Sequence, residues 1–548
     1  MEQHSRQAEK LDAIIIGMGI GGIYQLIKLR ELGMSVLGIE AGTDVGGTWY
    51  WNRYPGARFD SETHSYCYSF SPDLLEEWDW KELFAPQTET YPYLQYVAEK
   101  FDVRKDVSFN TRITQANWDE ARNVWIVEAE DGRRWQATYL VSAVGTLSIP
   151  SVPHYVGRET FRGPNFHTSD WPRTPFDVAG KRVAVIGTGA TGVQVIQEMA
   201  KTVGQLTVYQ REGNWCKPLR NRSIAADEMA QIKRDYSEIF ARCRSTSAAF
   251  IHDADPRNMA DVTPEEREAF YERLYAQPGF SLALGNFQDI GINEAAAKAA
   301  GDFLARKIRE RVNDPKVADM LIPKNHLFTT KRPPMETNYY EVFNQDNVEL
   351  VDLKATPIER MTPDGIISDG IERQFDVIIF ATGFDSILGA FNRIAFTGRD
   401  GITLAEKWRD GPLTNMGMAV HGFPNWLIVN GPHGLGSFCN VPRCLEQNVD
   451  YIFDLLQYMQ ERDLDRVEVT AEAEAKWMDL MRKNAEPMLA ARTDSWFTGV
   501  NTNIEGRSTR NLLFYVGGQP YFQEYSGQIA ANGYSGFELS NSELASVR

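Results

Sequence analysis

Gly17, Gly19 and Gly22 form a G-x-G-x-x-G directly after the apolar run Asp12 to Ile16, and Gly187, Gly189 and Gly192 repeat it much further along the chain. Glycines so spaced let a backbone turn tightly, approach a pyrophosphate and pack helix on strand, with the phosphate charge at the helix N-terminus. The spacing alone also describes an ordinary glycine-rich turn, so the flanking residues decide. After the first turn, Ile20 to Leu32 shows helical apolar spacing and Glu40 closes a second apolar strand. A carboxylate there accepts hydrogen bonds from ribose hydroxyls and repels a 2′-phosphate, which points to FAD or NAD. In the second unit, KRVAVIGTGATGVQVIQEMAKTVGQLTVYQREG, the return strand is expected over Val203 to Gln210, and Arg211 stands where the first unit has its acid. A guanidinium at that place suits a 2′-phosphate; the alternative is a solvated turn. The pair of units therefore reads as one for FAD and one for NADPH, which puts a hydride donor near a flavin.

These turns need two parallel sheets to hold them. Tyr139 to Thr146 (YLVSAVGT) and Phe375 to Asp385 (FDVIIFATGFD) are apolar strands with glycine-containing ends, each suited to return the chain past a bound cofactor. Between about Asn221 and Pro323 the chain changes to charged amphipathic stretches such as AADEMAQIKRDYSEIFARCR, expected as helices. The fold class expected is α/β, with two Rossmann-like dinucleotide-binding domains, for FAD and NADPH, and an inserted helical subdomain. The expected boundaries are residues 8–147 for the first part of the FAD domain, 148–220 for a linker and the first part of the NADPH domain, 221–323 for the insertion, 324–386 for the rest of the NADPH domain, and 387–548 for the rest of the FAD domain.

Composition narrows the partners. A chain of 548 residues exceeds one hydrophobic core, and its formal net charge of −17 argues against nucleic acid or a stable association with an anionic membrane. No run approaches the roughly 18 to 20 apolar residues of a membrane span, and no signal peptide precedes the first glycines, so a cytoplasmic protein is expected. The five cysteines, Cys67, Cys216, Cys243, Cys439 and Cys444, are expected as reduced, mostly buried thiols. No C-x-x-C is present, and the eight histidines show no metal-ligand spacing, so no metal is expected.

A reduced flavin can pass its electrons to a disulfide, to a partner protein or to molecular oxygen, and the missing C-x-x-C disfavours the first. Two long stretches then bear on the choice. FRGPNFHTSDWP, Phe161 to Pro172, fits F-x-G-x-x-x-H-x-x-x-W-P through Phe161, Gly163, His167, Trp171 and Pro172. GGTWYWNRYPGARFD, Gly46 to Asp60, fits G-G-x-W-x-x-x-x-Y-P-G-x-x-x-D. Between them they resemble the fingerprints of type I Baeyer-Villiger monooxygenases, flavoenzymes that insert oxygen beside a ketone carbonyl. The resemblance runs from about Leu11 to Asn503.

The resemblance implies an FAD- and NADPH-dependent, oxygen-consuming enzyme that turns ketones into esters or lactones through a C4a-peroxyflavin and a tetrahedral adduct. It assigns Arg332 as the catalytic cation and Asp60 as the carboxylate that holds it. Without the resemblance, Lys331 and Arg332 before two prolines read as a solvated loop. It further places Thr48, Trp49 and Tyr66 along the flavin with Gly17, Gly19, Gly22, Glu40 and Asp60. Around NADP it places Gly187, Thr188, Gly189, Gly192, Gln194, Arg211, Lys331, Arg332 and, on a mobile loop, Trp496. Ala190 stands where the family often has serine, and GPHGLGSFCN, Gly431 to Asn440, is looser and richer in glycine than the family's active-site loop. His167 is expected to fix the linker rather than act as a base. The implied partners are a ketone and oxygen, for a monomer or weak homodimer. A flavin-containing N- or S-monooxygenase, or an NADPH-dependent flavin reductase serving a partner protein, are the alternatives.

Overall fold

The computed structural model describes residues 10–437 and 439–542. The ends of the expected domain spans, residues 8–9 and 543–548, lie outside them, as do the first nine residues read for a signal peptide. Two mixed or parallel sheets organise the chain. The first runs, edge to edge, through Ala395–Thr397, Ile113–Asp119, Val124–Ala129, Arg134–Ser142, Lys10–Ile16, Val36–Ile39 and Val107–Ser108, with Trp426–Ile428 also paired to Arg134–Ser142. The second runs through Val348–Asp352, Gln205–Gln210, Arg182–Ile186, Val377–Phe380 and Asn165–His167, all parallel. Parallel strands need crossovers and cover on both faces, which explains why Ala13 to Ile15 and Val183 to Val185 are fully buried apolar runs without alternation.

Chain order and spatial order differ as the sequence suggests. The first sheet takes back the chain at Ala395–Thr397 and Trp426–Ile428, after the second sheet has been completed by Val377–Phe380. Between the strands of the second sheet lie the helices Ala226–Ser245, Pro264–Ala276, Glu294–Arg311 and Pro315–Leu321. Thr263 and Glu266 close a reciprocal cap at the start of one, and Asn293 caps another, so local sequence sets these boundaries. No helix among the described residues is long and apolar enough to cross a membrane, and no group of three His, Cys, Asp or Glu among them could hold a metal ion.

Three expectations need correction. Asn165–His167 is an edge strand of the second sheet, paired to Ile378 through Phe380, so this part of the fingerprint peptide, expected as linker, belongs to a sheet. The Gly431 to Asn440 stretch is tightly packed where it is described: a Cβ on Gly417 would stand 2.3 Å from Gly434 Cα, so glycine there permits two backbones to cross. Phe438 lies outside the described residues. The expectation of five reduced thiols fails for two: Cys439 and Cys444 are joined as a disulfide, with Cα atoms 6.7 Å apart at the start of helix Val441–Gln460. Cys67, Cys216 and Cys243 are free and buried.

Candidate active site

Both glycine turns are shaped by the strand beside them. Gly17 has φ +96, and a Cβ there would stand 2.5 Å from Ala143 O; Gly187 has φ +110, and its Cβ would stand 2.4 Å from Ala381 O. Ala143 and Ala381 end the two return strands singled out in the sequence, so each passes directly over a glycine turn. Gly22 and Gly192 are excluded from any side chain by the carbonyls of Gly17 and Gly187, at 1.9 and 2.2 Å from a built Cβ. These cradles fit a nucleotide pyrophosphate, which needs the backbone N–H groups bare.

The ends of the second strand of each unit, Val36–Ile39 and Gln205–Gln210, differ in charge and in setting. Glu40 is buried; one carboxylate oxygen accepts from Met18 N at 2.9 Å and the other from Gly42 N at 2.7 Å. Burial pushes its carboxyl upward, and these backbone donors oppose the shift. Each oxygen keeps a lone pair for a ribose hydroxyl. Arg211 is exposed, and its Nη1 donates to Thr502 Oγ1 at 2.7 Å. Lys331 and Lys354 share its neighbourhood, where Lys354 is paired with Glu212, leaving an excess of positive charge. Burial pushes the Lys331 amine downward. Thr188 Oγ1 donates to Glu212 O at 2.9 Å, at the same edge.

Arg332 faces elsewhere, although it is the next residue. Its Nη2 donates to Asp60 Oδ1 at 2.7 Å and its Nε to Asp60 Oδ2 at 3.1 Å, a two-pronged pair. Both side chains are 24% exposed, so the pair is neither sealed nor fully solvated. No other hydrogen bond to this guanidinium forms among the described residues, so three of its five N–H groups stay free for a ligand. The Phe280 ring lies 4.6 Å from Arg332 Cζ, a cation–π contact that had no signal in the sequence.

Aromatic residues of the Gly46 to Asp60 stretch close the same neighbourhood. Phe59 stacks on Tyr66 at 4.2 Å, and Trp49 meets both rings edge-on. Trp49 Nε1 donates to Tyr66 Oη at 3.3 Å. Burial pushes the Tyr66 phenol well upward, with Asp60 adding to the shift and Arg332 opposing it. Thr48, at the start of the short helix Thr48–Trp51, is exposed. The same stretch reaches the second unit. Tyr54 Oη donates to Gln194 Oε1 at 2.8 Å, Gln194 Nε2 donates to Arg58 O at 3.0 Å, and a Cβ on Gly56 would stand 2.6 Å from Gln194 O. Gln194, expected beside NADP, thus also bolts the two units together.

The linker fingerprint residues are mostly interior. Phe161 and Trp171 are buried in the two apolar clusters of the second sheet, and a Cβ on Gly163 would stand 2.7 Å from Asp376 O. Pro172 is half-buried. His167 is buried; its Nδ1 pairs with Ser169 Oγ at 2.8 Å, and its Nε2 faces the Gly383 backbone without a hydrogen bond of ordinary geometry. Burial lowers its pKa to about 4, so the ring is neutral at ordinary pH. Trp496 opens a short turn, Trp496–Thr498, and packs 4.1 Å from Phe497. Beyond it, Asn501 Nδ2 donates to Phe384 O at 3.1 Å and Arg507 Nη2 to Asp385 Oδ1 at 2.8 Å, seating this segment over the end of the second return strand.

Comparison with known proteins bears on this arrangement. Residues 10–227 match a family described as FMO-like, flavin-binding monooxygenase-like. Over 536 residues the chain is 42% identical to 2-oxo-Delta(3)-4,5,5-trimethylcyclopentenylacetyl-CoA monooxygenase of Pseudomonas putida, spanning 97% of this chain and 98% of that protein. It is 38% identical to cyclohexanone 1,2-monooxygenase of an Acinetobacter species, spanning 97% of each. The crystal structure of OTEMO in complex with FAD and NADP superposes with a TM-score of 0.93 at 43% identity, over 97% of this chain and 99% of that one.

Proposed function

The chain belongs to the Baeyer-Villiger monooxygenases, and from that premise we propose that Arg332, clamped by Asp60, is the cation that steadies negative charge on a ketone oxygen while an oxygen atom is inserted beside the carbonyl. The protein is an enzyme that binds FAD, uses NADPH and converts ketones to esters or lactones. FAD and NADPH together supply reducing electrons and a flavin able to activate oxygen; positioning, charge and exclusion of water fall to the chain. The observation that carries the proposal is the two-pronged Arg332–Asp60 pair with three N–H groups left over.

A guanidinium keeps its charge at any pH that leaves an oxygen nucleophile anionic, which a lysine or histidine would not guarantee. Donors held in place before charge develops need no reorganisation when it does. Asp60 fixes the plane of the fork, while Phe280 limits its tilt from the other side. Trp49, Phe59 and Tyr66 supply an apolar wall that keeps water away from the reacting oxygen.

The cofactor assignments follow the same logic. Gly17, Gly19, Gly22 and Glu40 would hold the pyrophosphate and ribose of FAD, with Thr48, Trp49, Asp60 and Tyr66 along the flavin. Gly187, Thr188, Gly189, Gly192 and Gln194 would receive the NADPH pyrophosphate, Arg211 and Lys331 its 2′-phosphate, and Trp496 the closing loop. The division into an FAD domain and an NADPH domain, with helices inserted from 221 to 323, rests on which sheet each strand joins. His167 is a positioning residue at the edge strand that meets Gly383. We infer a monomer or weak homodimer, which sedimentation velocity checks.

The test is Arg332→Ala in the holoenzyme. NADPH should still bleach the flavin while no ester forms; persistent ester would remove the role assigned to Arg332. Offering a ketone and a sulfide separately distinguishes this reading from oxygenation of soft nitrogen or sulfur nucleophiles. Oxygenated product from the purified chain alone excludes a reductase that serves a partner protein.

A further inference from the structure

A buried carboxylate lies beside the candidate site. Glu62 stands two residues after Asp60, and its side chain is 2% exposed. Its Oε1 pairs with His252 Nε2 at 2.8 Å, and its Oε2 has no hydrogen-bond partner among the described residues. A Cβ built on Gly279, which has φ +57, would stand 2.6 Å from Glu62 Oε1 and 3.1 Å from Phe84 Cζ. The carboxylate therefore fills the space that any side chain at 279 would need. The next residue is Phe280, whose ring lies against Arg332.

These contacts close a ring. Asp60 grips Arg332, Arg332 lies on Phe280, Phe280 is bonded to Gly279, Gly279 lies against Glu62, and Glu62 returns through Ser61 to Asp60. His252 connects the Glu62 side of the ring to solvent. His252 lines an open polar cleft of about 270 Å³, with Arg242, Asp253, Asp255 and Arg273 on the same walls.

We infer that Glu62 and His252 form a positioning pair for Arg332, in which the hydrogen bond from the imidazole seats Glu62 against Gly279 and thereby holds the Phe280 ring against the guanidinium. A buried carboxylate that loses its hydrogen-bond partner bears the full cost of desolvation, so the imidazole keeps Glu62 in place. The groups facing the pair are few. Glu62 also lies within electrostatic reach of Lys217, His64 and Cys243. His252 faces Arg242 from helix Ala226–Ser245, Arg273 from helix Pro264–Ala276, Asp253 and Asp255 from its own segment, and His64. Lys217 donates to Pro218 O at 3.2 Å and to Gln277 O, and burial lowers its pKa to about 7. Its ammonium is spent on those two carbonyls, and among the described residues His252 is the side chain hydrogen-bonded to Glu62.

The inference rests on the Arg332 reading, so Arg332→Ala is measured in parallel. Holoenzymes carrying His252→Gln, His252→Arg and Glu62→Gln are compared with the parent for product formed per NADPH consumed, from about pH 6 to about pH 9. His252→Gln and Glu62→Gln should lose about 10- to 100-fold in kcat/KM for the ketone, as a misplaced catalytic group does, with the rate of flavin reduction within about twofold of the parent. His252→Arg keeps a strong donor for Glu62, so it should retain activity where His252→Gln loses it. A crystal structure of Glu62→Gln should show the Phe280 ring displaced from Arg332. Equal losses in His252→Arg and His252→Gln, or an unmoved Phe280 with unchanged coupling in Glu62→Gln, would overturn the inference. If Arg332→Ala itself still makes ester, the site reading fails instead; if it is inactive while the other variants behave like the parent, only the positioning pair is lost.

Discussion

At the first glycine turn a Cβ on Gly47 would stand 2.7 Å from Gly19 Cα, whereas Gly189, the counterpart of Gly19 in the second turn, has nothing within 4 Å of its own. The same contrast extends to the strand ends. Glu40 is buried and tied to the backbone of its own turn, while Arg211 is exposed and held by a segment that arrives from the far end of the chain. One motif therefore appears in two settings: the first turn is enclosed by its own unit, and the second is left open on its ligand side. This matches a cofactor that stays through turnover and one that must enter and leave. The glycines alone do not distinguish these roles, because they report only how close a phosphate can come.

The contrast can be broken at either turn. The largest effect is expected for Gly47→Ala, which forces a side chain onto a residue at φ +51 and against Gly19. Stability should fall by roughly 2–5 kcal/mol, and purified protein should carry little FAD, read from flavin absorbance per chain; full flavin content would show that this turn is not enclosed. Gly189→Ala meets open space at φ −74. Its melting should shift by no more than about 0.5 kcal/mol, while NADPH binding to the oxidised holoenzyme weakens by about 10- to 100-fold because the pyrophosphate loses its close approach. Equal effects on folding at both turns would refute the distinction. Arg211→Ala should weaken NADPH by about tenfold and leave NADH nearly unchanged, as loss of a charge-assisted bond predicts. An unchanged preference between the two nucleotides would remove Arg211 from the phosphate site.

The smallest effect near neutrality comes from two buried histidines, one in each part of the molecule. Burial lowers the pKa of both His167 and His433 to about 4. The unfolded chain then binds protons that the folded chain refuses, so stability is full above the ordinary histidine range of about 6.5 and falls as pH drops toward 4. Each contributes a loss below about 1 kcal/mol at pH 6, growing to about 3 kcal/mol at pH 4. Melting curves across that range should be acid-sensitive, and His167→Gln should flatten part of the slope. An unaltered slope would mean that His167 is not held neutral by burial.

Much of the fold was legible because its signals are local. A glycine turn after an apolar strand, a capped amphipathic helix and the charge at a strand end each lie within a few dozen residues. The Gly46 to Asp60 stretch was legible only as a resemblance, since nothing in its own spacing says that Gly56 must touch Gln194. Phe280, Glu62 and His252 carried no readable signal at all. Their relevance arises from contacts such as Arg332 with Asp60, 272 residues apart, and Arg211 with Thr502, 291 apart. The glycine-rich Gly431 to Asn440 stretch was read as loose for the same reason. Its glycines are explained by a second backbone crossing at Gly417, which sequence does not reveal.

By itself, the sequence determined that there are two dinucleotide units and which sign of charge ends the second strand of each. Those properties follow from residues that act where they stand: a glycine permits a positive φ or a close backbone, and an acid or a guanidinium offers its charge at the end of its own strand. Tertiary structure decided what adjacent residues do. Lys331 and Arg332 are neighbours in the chain, yet one lies within electrostatic reach of Glu212 and Arg211 and the other is gripped by Asp60. A side chain's partner is set by which distant segments the two sheets bring against it, and that depends on the packing of the whole chain rather than on any short stretch of it.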